Sequence, residues 1–290
     1  MRMKRPFLIA LGITWLLAAP IFGATIYNNL TPNNQIGVAT RPGTTAFEIE
    51  TGDDFFLGGT TNITSASFVG LLVPGAAGGA LNIDAVVAEI YRVFPKDSDT
   101  TRTPNVLTRV NSPSDVAFDS RDSTGGGLSF SSSILNPTFV VNNSVQPGGI
   151  HPFPNQTTGG NGALTGQEVQ INVTFLTPFS LPSDHYFFVP QVQLSGGAQF
   201  YWISASRPIS GAGTTPFPPG VNDLQAWTRD QALDPDWSRV GTDIVGGSPA
   251  PTFNLAFSLD GAAAPEPGPF LLVFTGASAF LGLKLRRRAR

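Results

Sequence analysis

Cysteine is absent from the 290-residue sequence. Its absence excludes disulfide bonds, thiolate metal sites and a cysteine nucleophile. Export remains compatible with this composition, because many envelope proteins lack disulfides. The absence of cysteine therefore excludes some chemistry but does not indicate in which cellular compartment the protein is located.

Charged residues are scarce, at 13% of the chain, and eight of the seventeen basic ones lie near the two ends. Between Ala24 and Ala264, nine basic residues stand against nineteen acidic ones, which gives this body a net charge of −10. An acidic body argues against a nucleic-acid partner, because phosphate binding requires a basic surface. Glycine and proline are abundant instead, with 32 and 25 residues, and they favour many short elements joined by turns.

Histidine is nearly absent, and the catalytic motifs that depend on it are missing. His151 lies in a proline-rich loop, while Ser183-Asp184-His185 places adjacent residues on opposite sides of an extended chain and so does not predict a triad. No Gly-x-Ser-x-Gly, His-Glu-x-x-His or phosphate-loop motif occurs. A glycoside hydrolase needs two opposed carboxylates, and the sequence offers Glu48, Glu50, Glu89 and Glu168 without positional context. We therefore expect no enzyme activity, and an envelope glycoside hydrolase is the third functional alternative.

The first 24 residues have the layout of a secretory signal peptide. Arg2, Lys4 and Arg5 precede an apolar run from Phe7 to Leu17, and small residues follow. Gly23 or Ala24 would precede the cleavage site. A permanent N-terminal membrane anchor is the alternative.

The last residues combine three features in a fixed order. Pro265-Glu266-Pro267 precedes an apolar run from Phe270 to Leu283, and a basic cluster then includes Arg286, Arg287 and Arg288. Prolines on both sides of the glutamate predict an extended segment. The run is about 21 Å long as a helix, short of a hydrocarbon core of about 30 Å, and the flanking basic side chains can cover part of the difference. The arginines are expected to stay in the cytoplasm, which leaves the acidic body outside.

This C-terminal segment resembles the PEP-CTERM sorting signal of Gram-negative envelope proteins, over residues 263–290. The resemblance implies recognition of Pro265, Glu266 and Pro267 by an exosortase, a membrane processing enzyme. It also implies an inner-membrane intermediate, final location in the outer envelope or extracellular matrix, and association with exopolysaccharide and biofilm material. An ordinary tail anchor is the alternative.

The body, residues 25–262, is predicted to be all-β. Apolar and polar residues alternate from Val169 to Phe175 and from Phe253 to Leu259, as in half-solvated antiparallel strands. Other predicted strands cover residues 47–50, 63–73, 86–94, 186–194 and 200–204. The pattern favours an antiparallel β-sandwich of jelly-roll type, followed by the C-terminal hydrophobic helix. Residues 95–166 predict a long loop that contains short edge strands at 128–132 and 138–141.

Two kinds of binding site are candidates within this body. Tyr201, Trp202, Trp227 and Trp237 could offer flat aromatic faces to a sugar, although tryptophan is more often buried in sandwiches. Asp97 and Asp99 are candidate calcium ligands, as are Asp53-Asp54 and Asp234-Pro235-Asp236, but aspartate is also common in turns. The sequence predicts a structural or adhesive envelope or matrix protein, and a lectin-like module is the alternative.

Overall fold

A computed structural model describes residues 23–264, except 44–45, 77, 80, 102–108, 147–156, 210–212, 214–216 and 232–235. Of the predicted signal peptide, residues 1–24, only Gly23 and Ala24 are among the described residues. Of the predicted sorting signal, residues 263–290, only Ala263 and Ala264 are. His151, Asp234 and Pro235 also lie outside the described residues. Within the described part, no helix is both long and apolar enough to cross a membrane.

The described part of the chain is all-β and contains fourteen strands. Their bounds are β1 Ala24–Asn28, β2 Pro32–Ala39, β3 Ile49–Leu57, β4 Thr61–Val73, β5 Ile83–Arg92, β6 Asp119–Asp122, β7 Leu128–Val141, β8 Asn143–Val145, β9 Leu164–Leu181, β10 Asp184–Leu194, β11 Gln199–Ala205, β12 Trp227–Asp230, β13 Ser238–Arg239 and β14 Phe257–Ala263. A six-residue π-helical turn, Val240–Val245, follows β13.

The strands form two mostly antiparallel sheets, an arrangement consistent with a β-sandwich. The six-stranded sheet has the order β13-β12-β3-β10-β5-β6. In the eight-stranded sheet, β4 pairs with β9 along one edge and with β14 and β11 along the other. Strand β7 pairs with β9, and β2 joins β11 to the short parallel strand β8.

Aromatic side chains from both sheets form the centre of the core. Phe188 of β10 packs against Phe68, Trp202 and Phe257 of the opposite sheet, with ring centroids 5.5 to 6.2 Å apart. The indole Nε1 of Trp202 donates a hydrogen bond of 2.9 Å to the Ala256 carbonyl, which satisfies a polar group that is fully buried. This cluster holds the two sheets together.

Every predicted strand overlaps an observed one, but several bounds differ, and strands β1, β2, β6, β8, β12 and β13 were not predicted. The segment from Val169 to Phe175 lies within β9, as its alternation predicts. The segment from Phe253 to Leu259 is only partly a strand, because β14 begins at Phe257. The two short edge strands expected at 128–132 and 138–141 are one strand, β7, which continues through Pro137 with irregular register between Ile134 and Phe139. An edge strand tolerates proline because the missing N–H can face solvent.

The first and last strands are neighbours. Strands β1 and β14 run antiparallel, with Ala24 opposite Gly261 and Asn28 opposite Ser258. Asp260 accepts a hydrogen bond of 2.8 Å from Thr25 across this pair. The start of β1 and the end of β14 therefore lie side by side in the eight-stranded sheet.

Candidate functional site

The outer face of the six-stranded sheet carries the polar residues that converge most closely. On β5, Val86, Ala88 and Ile90 point into the core between the sheets. Since side chains alternate along a strand, Glu89 and Tyr91 lie on the opposite, outer face. The same alternation brings Glu50 of β3 and Arg229 of β12 to this face.

Six residues of this face line a cavity of about 130 Å³, here called the acidic cavity: Glu48, Glu50, Glu89, Tyr91, Arg229 and Gln231. The Tyr91 hydroxyl donates to Glu50 Oε1 at 2.5 Å and lies 3.3 Å from Glu89 Oε2. Arg229 Nε donates to Glu50 Oε2, and its Nη2 lies 3.1 Å from the Tyr91 oxygen. Three carboxyl groups and one guanidinium thus line this cavity, and the guanidinium hydrogen bonds to Glu50.

Burial raises the pKa of Glu89 to about 8, and the neighbouring carboxylates add to the rise. Burial is the largest cause, followed by the negative charge of Glu50 and a hydrogen bond with it, then by the charge of Glu48, and Arg229 opposes the rise. Burial also raises the pKa of Tyr91, and Glu50 and Glu89 add to that rise. At neutral pH, Glu89 is therefore mostly a protonated carboxyl that can donate a hydrogen bond to Glu50.

The spacing of these carboxyls does not fit a glycoside hydrolase. Retaining and inverting enzymes keep their two carboxyls roughly 5 to 9.5 Å apart, which leaves room for a glycosidic bond or a water. Here the Tyr91 hydroxyl lies between Glu50 and Glu89, 2.5 Å from one carboxyl oxygen and 3.3 Å from the other. Glu168 lies on β9 in the other sheet. The hydrolase alternative therefore gains no support from this pair.

A second, larger cavity of about 430 Å³ lies on the same outer face, beside β12. Its walls include Trp227 and Leu224, and both belong to an apolar cluster with Tyr91 and Trp237. Its polar lining includes Asn111, Asn222 and Arg239. A volume in the range of roughly 300–1,000 Å³ is typical of small-ligand pockets, so this larger cavity is the better binding candidate of the two.

The four aromatic residues expected to bind sugar do not form a shared exposed platform. Trp202 lies in the central core with no exposed surface, and Tyr201 points to the other side of β11 into a separate apolar cluster. Trp237 is buried against Tyr91 and Arg229, with its indole N–H donating to the Ser114 carbonyl at 3.0 Å. Trp227 is 2% exposed and is the one of the four that lines the larger cavity. Packing between strands explains why three of them are unavailable.

The candidate calcium ligands already have partners. Asp97 accepts a hydrogen bond of 2.6 Å from Arg92 Nε, and Asp99 accepts bonds of 2.9 and 2.6 Å from the amide and hydroxyl of Thr101. No group of three or more metal-ligating residues occurs among the described residues. Calcium binding at Asp97 and Asp99 stays a prediction.

His185 and its neighbours form a structural cluster. Its Nε2 lies 2.6 Å from Asp54 Oδ2, and burial lowers its pKa to about 4. Ser183 donates to the Leu57 carbonyl at 2.9 Å and does not hydrogen bond to His185. The expectation that Ser183, Asp184 and His185 do not act as a triad agrees with this geometry.

Sequence reasoning missed the residues that complete both cavities. Arg229 follows Trp227 at the same-face spacing of a strand, but its segment was not predicted to be one. Asn111 and Asn222 lie in loops, where sequence spacing carries no contact information. No protein-family model, curated protein or solved structure matches this chain.

Proposed function

We propose that this chain is an exported structural or adhesive protein of a Gram-negative cell envelope or extracellular matrix, sorted by an exosortase-type system. In this proposal the body is a jelly-roll-like sandwich, and residues 270–283 form a membrane helix that holds it at the inner membrane until processing. Pro265, Glu266 and Pro267 are the segment that the processing enzyme recognises. Arg286, Arg287 and Arg288 keep the end of the chain in the cytoplasm.

The observation that carries this proposal is the position of the body's ends. Strand β14 ends at Ala263, two residues before Pro265, and it pairs with β1, which starts at Ala24. A cut in the Pro265–Pro267 segment would leave every described strand intact. Both ends would also leave the body at the same place, so a single membrane tether would hold it without crossing its surface.

The edge strand β7 supports the structural or adhesive part of the proposal. It pairs with β9 along one edge, and its exposed side chains include Ile134, Leu135 and Val140. No Asp, Glu, Lys or Arg occurs between Asp122 and Glu168. Exposed strand edges without charge are favourable surfaces for association, because like charges do not oppose contact there.

Intact-mass analysis of the native protein from membrane and extracellular fractions tests the sorting. The wild type should lack its C-terminal residues in the outer fraction, whereas Glu266→Ala should retain them in the inner membrane. Pro269→Ala, two residues beyond the recognised segment, is the matched control and should be processed normally. Mature protein that always retains Arg290 would identify the tail as a permanent anchor and would refute the proposal.

A further inference from the structure

The larger cavity has the size and the walls of a binding site for several linked sugar rings. Its volume is about 430 Å³, and its apolar wall includes Ile209, Leu224 and Trp227. Pyranose rings carry C–H groups on their faces and hydroxyls at their edges, so a sugar site needs apolar walls together with neutral hydrogen-bonding groups.

Two amides at the cavity supply such hydrogen-bonding groups. Asn111 and Asn222 are both exposed, and neither side chain hydrogen bonds to another residue in the described part of the chain. An amide offers one acceptor and two donors, which matches the mixed character of sugar hydroxyls. Asn111 has a φ of 67°, a left-handed conformation that asparagine tolerates better than most residues.

Trp227 provides an independent indication of a ligand. Its indole Nε1 is buried and has no hydrogen-bond partner among the residues that the structure describes, although its ring lines the larger cavity. Buried donors in folded proteins are almost always paired, because an unpaired donor has lost its water without replacement. A hydroxyl oxygen of a bound molecule, or a water held beneath it, would satisfy this group.

The charged groups of the cavity are neutralised within the fold. Arg239 makes a bidentate ion pair with Asp243, with contacts of 2.6 to 3.0 Å. Asp223 forms an ion pair with Arg207 at 3.0 Å. Because Asp243 compensates its charge, Arg239 does not favour an anionic ligand. The body's net charge of −10 also repels anionic polymers.

We propose that the larger cavity binds an uncharged oligosaccharide of two or three sugar units, with Asn111 and Asn222 bonding to its hydroxyls and Trp227 forming the apolar wall. This binding function goes beyond the sorting proposal and does not depend on it. Sorting can fail while the folded body still binds sugar, and the reverse is also true.

Calorimetric titration of the full chain in detergent tests this inference with defined probes. The probes are the neutral trisaccharides of glucose, mannose and N-acetylglucosamine, with trigalacturonate as the anionic comparison. At least one neutral trisaccharide should bind with a dissociation constant below about 1 mM, and trigalacturonate should bind at least tenfold more weakly. Failure of every neutral probe at 10 mM, or equal affinity for trigalacturonate, would overturn the inference.

Variants locate the binding to this cavity. Asn222→Ala and Asn111→Gly remove one amide each, and glycine keeps the left-handed backbone at position 111. Each should weaken binding at least fivefold, as should Trp227→Phe, which removes the indole N–H but keeps an aromatic wall. Asn82→Ala, at an exposed asparagine elsewhere, is the control and should bind like the wild type. Unchanged affinity in all three cavity variants, with melting temperatures preserved, would place the sugar elsewhere and refute the assignment.

Discussion

Glu50 on β3 and Glu89 on β5 meet at the Tyr91 hydroxyl across the intervening strand β10, with carboxyl oxygens 2.5 and 3.3 Å from the hydroxyl oxygen. Two negative charges so close together repel each other, which favours a proton on one of the two carboxyls. Arg229 hydrogen bonds to Glu50, and burial together with the neighbouring carboxylates raises the pKa of Glu89 to about 8. The stability of the body should therefore depend on pH through this pair.

The first prediction concerns Glu89→Gln. The unfolded chain loses the Glu89 proton near pH 4.5, whereas the folded chain keeps it up to about pH 8. Folded protein thus binds more protons between these values, so this residue makes the free energy of unfolding fall as pH rises through that window. Glutamine imitates the protonated form facing Glu48, Glu50, Tyr91 and Arg229. The difference in the free energy of unfolding between the variant and the wild type should therefore grow in favour of the variant, by on the order of 3 kcal/mol from pH 5 to pH 8.

Denaturant unfolding of the full chain at several pH values measures this gain. Asp84→Asn, which removes an exposed carboxyl from the same strand, is the control and should leave the pH dependence as in the wild type. A Glu89→Gln protein whose stability tracks the wild type across pH 5 to 8 would show that Glu89 titrates normally.

The second prediction concerns the ion pair of Glu50 with Arg229. Both side chains are at most 7% exposed, so Glu50→Gln would leave the guanidinium buried beside a neutral group. Losing one partner of a buried pair costs about 3–5 kcal/mol. Lys96→Gln is the control, because Lys96 is 49% exposed in its pair with Asp184 and should cost about 1 kcal/mol or less. Similar melting temperatures for the two variants would contradict a structural role for the buried pair.

The sequence predicted the fold class because its strands alternate visibly, as from Val169 to Phe175. It could not predict that Leu128 to Val141 form one strand, because Pro137 normally interrupts strands and is tolerated only at an edge. Nor could the sequence predict that Glu50 and Glu89 meet at the Tyr91 hydroxyl. These residues are joined by the register of two strands with β10, and register depends on the whole sheet.

The third prediction concerns Trp202, which contributes packing and one hydrogen bond to the core. Trp202→Phe should lower the free energy of unfolding by about 2–4 kcal/mol, because it leaves a void and an unpaired Ala256 carbonyl. Tyr201→Phe on the same strand is the matched control, because the Tyr201 hydroxyl makes only long hydrogen bonds of 3.3 and 3.4 Å. It should cost about 1 kcal/mol or less. Denaturation midpoints measure both losses, and equal midpoints would argue against a special role for Trp202.

The fourth prediction concerns calcium at Asp97 and Asp99. Calcium takes six to eight oxygen ligands, and here it would compete with Arg92 for the carboxylate of Asp97. At 5 mM calcium the free energy of unfolding should therefore rise by about 1 kcal/mol at most, or roughly 2–4 °C in melting temperature. Arg92→Gln removes the competing cation and should enlarge this gain, whereas Asp97→Ala combined with Asp99→Ala should abolish it. Equal ionic strength without calcium is the control. A gain that persists in the double alanine variant would place calcium at other residues.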